Sequence, residues 1–150
     1  MDVGLFLVEN CIDLKLENGD FVLDESLETA VLISLFSNRR ANESDLPAGI
    51  SDKQGWWADE FADVEDDEIG SKLWTLARAK ATAETIAKAE AFCNDALLWM
   101  IEDGVARTVS VLAEYDENQF LLLNITITRP TGENDRFSFL WDGQEAKRAA

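Results

Sequence analysis

The side chains able to do chemistry in this sequence are nearly all carboxylates: thirty Asp and Glu stand against thirteen Lys and Arg, with two Cys and no His. The densest run is Asp63-Val64-Glu65-Asp66-Asp67-Glu68. Clustered oxygens of this kind suit a hard divalent cation. The run lacks the EF-hand register and its central Gly, so a solvated acidic loop is the better reading. A glycosidase needs two carboxyls flanking one bond, with one pKa raised. Among thirty acids some pair always lies close, so proximity in sequence has no specificity. The lack of His removes Ser-His and Cys-His nucleophile pairs and His-bearing zinc sites. The scattered glycines form no phosphate cradle. Cys11 and Cys93 have no metal-like spacing and read as reduced, partly buried small hydrophobes. The expectation is a non-enzymatic chain with no metal and no cofactor.

The net charge of −17 argues against direct nucleic-acid binding, which requires Lys and Arg to neutralise phosphates. It also disfavours an anionic membrane surface and favours a basic partner. An acidic DNA-mimic inhibitor of a DNA-binding enzyme is the alternative to a structural role. It ranks second because the densest acids sit in one loop instead of along regular surfaces at phosphate-like spacing. No run approaches about 18 apolar residues, so no transmembrane helix is expected. The first residues lack a basic n-region, which points to cytoplasmic synthesis. Hydrophobic residues make up 47% of the 150 residues, including five Trp and eight Phe, enough for the core of one domain spanning 1–150.

Positioning these groups falls to an α+β arrangement: an N-terminal hairpin, a helical middle and a C-terminal antiparallel three-stranded meander. Ile12 to Leu16 alternates, Asn18-Gly19 turns and Phe21 to Leu23 returns. Asp24 or Ser26 can cap a buried helix from Leu27 to Phe36, with Arg39 and Arg40 placed to suit its negative end. Residues 41–70 read as a long irregular acidic loop. Within it Trp56 and Trp57 are adjacent, so one anchors the loop and the other is half-exposed or covered by a partner. A short helix follows Gly70-Ser71. Thr82 caps a longer helix from Ala83 to about Asp103, with a core stripe of Ile86, Ala89, Cys93, Leu97, Met100 and Ile101, and Gly104 stops it. Trp74 and Trp99 are expected in the core. The strands are expected at Val105 to Tyr115, Phe120 to Arg129 and Arg136 to Trp141, the last a free edge.

Several of these residues, taken in order, resemble the Mu-like phage baseplate protein family, the products of Mu gene forty-six. The run Leu27, Thr29-Ala30-Val31, Leu35-Phe36 and Arg39-Arg40 matches its start. Gly55-Trp56-Trp57 with Asp59 matches the central motif. Gly70-Ser71-Lys72-Leu73-Trp74 and Arg78 match the next, with Lys72 where the pattern has Arg. Ala96-Leu97, Trp99 and Glu102-Asp103-Gly104-Val105-Ala106 match a helix-to-strand junction. The similarity spans about residues 13 to 141.

The resemblance implies a contractile-tail baseplate subunit of a phage or prophage, found in the virion and assembled in the host cytoplasm. The family resembles the T4 wedge protein of gene twenty-five in architecture, although the Glu-Pro-Arg motif of that wider group is absent. By that analogy the partners are other baseplate wedge proteins and tail sheath or tube proteins, with six copies around the tube. The interface candidates are Arg39, Arg40, Trp56, Trp57, Asp59, Phe137, Phe139 and Trp141.

Overall fold

Apolar residues at every second position of the C-terminal third require a sheet with one buried face, and this sheet organises the molecule. The computed structural model describes residues 2–8, 11–24, 27–55, 57–61, 68–143 and 146–148. Six short strands come first: β1 (Asp2–Val3), β2 (Leu5–Val8), β3 (Cys11–Leu14), β4 (Leu16–Glu17), β5 (Asp20–Phe21) and β6 (Leu23–Asp24). They form three antiparallel two-stranded ladders, β1 with β6, β2 with β3 and β4 with β5. The expected hairpin about Asn18-Gly19 is there as β4–β5, with Leu16 opposite Phe21 and positive φ at both turn residues, a type I′ turn. Ile12 to Leu14, however, belongs to a strand beginning at Cys11 that pairs with Leu5 to Val8. That apolar run offers four partners, more than the two-residue arm around Asn18-Gly19 can.

Helix α1 (Glu28–Phe36) follows, with Leu27 at its N-cap position instead of Asp24, which lies in β6; the alternative cap expected at Ser26 lies outside the described residues. Thr29 near its start accepts a hydrogen bond from the Leu5 N–H at 2.9 Å and ties β2 to the helix. Within residues 41–70 the described backbone forms 3-10 turns at Glu43–Asp45 and Trp57–Phe61, and a third lies at Leu73–Leu76. Helix α2 (Ala83–Glu102) is capped as expected by Thr82, whose hydroxyl accepts from the Thr85 N–H. Its stripe of Ala89, Cys93, Leu97 and Met100 is buried together with Ala96. Ile101 is exposed instead, one residue past the stripe and a helical step of about 100° away from Met100.

The main sheet has four strands, β7 (Thr108–Tyr115), β8 (Leu121–Thr128), β9 (Asn134–Trp141) and β10 (Ala146–Arg148), in the order β10-β9-β8-β7, all antiparallel. The expected three-stranded meander is therefore corrected to four. β10 is short and mostly polar, and such a strand gives almost no periodic signal. Leu121, Leu123, Ile125 and Ile127 face α1 and α2 and are buried, while Leu122, Asn124, Thr126 and Thr128 face the other way. Phe36 meets Phe139 edge-on, with ring centroids 5.6 Å apart, and the Trp99 indole N–H donates to Ser34 Oγ at 3.0 Å across the two helices.

Cys93 sits at the centre of this core. Burial, with a smaller contribution from the nearby Glu90 carboxylate, pushes its thiol up to about 12 from an ordinary 9.0. The folded state thus holds this proton more tightly than the unfolded chain does. Its contribution to stability is complete below pH 9 and is lost as pH rises toward 12. Cys93 should resist iodoacetamide at pH 8 in the native protein and react in denaturant, as peptide mapping would read. Rapid native labelling would show that the helix opens there.

Candidate assembly surface

The residues singled out in the sequence divide into a clasp and a sheet edge. At the clasp, the chain leaving α1 lies beside the chain leaving the acidic loop, in a parallel bridge between Asn38 and Ser71. Ser71 N–H donates to the Ser37 carbonyl and Arg39 N–H to the Ser71 carbonyl, each at 2.9 Å. The Ser71 hydroxyl donates to the Leu35 carbonyl, and the Trp74 indole N–H donates to the Arg39 carbonyl at 2.8 Å. Gly70 makes this approach possible, since a Cβ there would stand 2.4 Å from the Ser37 carbonyl oxygen. Gly55 does the same beside Arg40, with a Cβ 2.8 Å from that of Arg40.

Arg39 and Asp59 grip one peptide unit from its two sides. The guanidinium donates to the Glu68 carbonyl at 2.9 Å, and the Asp59 carboxylate accepts from the Ile69 N–H at 3.3 Å. Both side chains are therefore engaged inside the molecule and pin the exit of the acidic loop. Lys72, in the place where Arg was expected, pairs with Asp45 at 2.9 Å. That hydrogen bond holds the Asp45 carboxyl below its ordinary range. Arg40 is exposed. Trp56 and residues 62–67 lie outside the described residues, and Trp57 is described only as backbone of a 3-10 turn. Among the described residues no group of three or more His, Cys, Asp or Glu could hold a metal ion, and no helix is long and apolar enough to cross a membrane.

At the edge, two interface candidates turn out to be core: Phe139 is 1% exposed and Trp141 7%. Their spacing of two on an aromatic strand is equally the signature of a buried face. Phe137 is half-buried and stacks beside Phe139 with centroids 6.3 Å apart. The free edge expected at Arg136 to Trp141 is corrected as well. β10 pairs with Phe139, Leu140 and Trp141 and, among the described residues, leaves the outer side of Asn134 to Ser138 uncovered.

The opposite edge, β7, is sheltered. Ala113 N–H leaves the sheet for the Glu90 carboxylate of α2 at 3.0 Å. The odd-numbered residues of β7 therefore turn their backbone groups outward. Val111 is nonetheless 5% exposed, because α2 lies against this strand. Counting across the ladders, Asn134, Arg136 and Ser138 turn theirs to the outer side of β9. Neither β10 nor the Glu90 cap was visible as a motif. The Gly143 turn before residue 146 was the one available signal for β10.

A family model described as Phage protein GP46 matches residues 27–134. The chain belongs to this family. Baseplate protein gp46 of Escherichia phage Mu is 40% identical over 139 residues, which is 92% of this chain and 94% of that protein. The Mu-like prophage FluMu protein gp46 of Haemophilus influenzae is 37% identical over 127 residues, 85% of this chain and 86% of that protein. In this GP46 family member the clasp, both helices and strands β7 and β8 lie wholly inside the matched span.

Proposed function

We propose that the chain is a structural, non-catalytic subunit of the baseplate of a contractile phage or prophage tail. In this reading it resides in the virion after assembly in the host cytoplasm. It links neighbouring wedge proteins in six copies around the tube and adjoins the first ring of tail sheath. The near full-length similarity to a protein named as a baseplate protein supports the assembly. The uncovered outer side of β9 supports the mode of contact, because three residues there offer paired N–H and C=O groups to an incoming strand.

Arg136→Pro tests this. Its N–H points away from β8, so the ring removes an outward donor without breaking the ladder inside the sheet, as Pro does on natural edge strands. The variant should fold with a melting temperature within a few degrees of wild type, yet fail to enter tails when it replaces the wild-type gene in its tail cluster. Normal incorporation of Arg136→Pro would remove β9 from the interface.

A further inference from the structure

The described residues from Asp2 to Asp24 form an arm with little core of its own. Its three ladders meet where Gly4 N–H donates to the Val22 carbonyl at 2.7 Å and Val22 N–H to the Lys15 carbonyl at 2.9 Å. It touches the body through β2, which packs on α1 and β10. Two-stranded ladders of this size are marginal in water. Yet the arm carries Val3, Leu14, Leu16, Phe21 and Leu23 as exposed apolar side chains. By the two-residue period of a strand, Ile12, Leu14 and Leu16 share one side and Asp13, Lys15 and Glu17 the other. Exposure along that apolar side rises from 37% at Ile12 to 45% at Leu14 and 62% at Leu16 as the strand leaves the body. Phe21 extends the surface opposite Leu16, and Leu23 lies opposite Val3. Contiguous exposed apolar surface rimmed by charge marks a docking site more often than a solvated face.

Charge decides the occupant. Residues 2–24 hold six acids and one cation, Lys15, which is already paired with Glu17 at 2.7 Å. With −17 on the whole chain, a second copy would bring like charge against like. Resting on the baseplate reading above, we propose that the N-terminal arm is a separate docking element that clamps a different baseplate protein through an apolar patch ringed by Lys and Arg.

The test is capture of the tagged full chain by the other baseplate proteins of its own tail, expressed together, at low and high salt. Leu16→Ser with Phe21→Ser should reduce capture at least tenfold, and so should the charge reversal Asp13→Lys with Glu17→Lys. Leu112→Ser, at an exposed apolar site on the outer face of the main sheet, should be captured like wild type, and wild-type capture should fall as salt rises. The charge reversal removes no apolar contact from the fold, so it decides the matter even if the serine pair melts early. Capture of both arm variants at the wild-type level overturns the arm while leaving the baseplate reading intact. Failure of the wild type to be captured at all overturns both. A wild-type dimer in sedimentation that the serine pair abolishes would make the occupant a second copy and overturn the charge argument.

Discussion

Gly70→Ala should be the most damaging small substitution in the chain, lowering stability by about 3 kcal/mol or more. Two separate costs meet at this residue. Its φ of +97° is strained for any residue with a Cβ, and that Cβ would lie 2.4 Å from the Ser37 carbonyl oxygen and 2.7 Å from its carbon. Backbone cannot swing aside as a flexible side chain can. Ser37 is also held by its bond from Ser71 N–H, so relief would require the Asn38–Ser71 bridge to open. For a domain of this size, about 3 kcal/mol corresponds to a fall in Tm of roughly 6–12 °C. Gly132→Ala is the control, since its φ is +95° but a Cβ there meets nothing within 4 Å. It should lose only the strain, about 1–2 kcal/mol. Equal melting of the two variants would mean that the clasp is not tightly packed.

Phe139→Ala should cost the isolated protein about 3–5 kcal/mol. The ring is almost fully buried, meets Phe36 edge-on and stacks beside Phe137, so its removal leaves a cavity that β9, paired on both sides here, cannot close. A residue whose work was to bind a partner would behave otherwise: the monomer would melt unchanged and only assembly would suffer. Urea unfolding of the purified variant separates the two. A midpoint at the wild-type value would return Phe139 to the interface.

Legibility followed the strength of the periodic signal. Helix α2, its Thr82 cap and the strands β7 and β8 were readable because eight to twenty residues repeat one period there. The N-terminal arm was half read: Asn18-Gly19 fixed one turn, but pairing of Leu5 to Val8 with Cys11 to Leu14 depends on contacts that no local pattern encodes. Phe137, Phe139 and Trp141 show a limit of another kind. Alternating aromatics identify a strand with one apolar face, and whether that face meets its own core or a partner is set by tertiary packing alone. Arg39 and Asp59 were singled out by their motifs as interface candidates, and their engagement with one peptide unit inside the molecule could not be deduced from sequence.

The clasp has a consequence for the chain between its two ends. Because residues 37–39 are bridged to 68–71, the segment from Ala41 to Glu68 is a closed ring whose entry and exit are fixed by the body. The entropic cost of closing such a ring grows only with the logarithm of its length, about 0.6 kcal/mol for each doubling. Additional residues placed at the exposed turn of Ala48 to Ile50 would therefore cost the fold little. This makes that turn the natural place to carry an affinity tag or a fluorescent reporter.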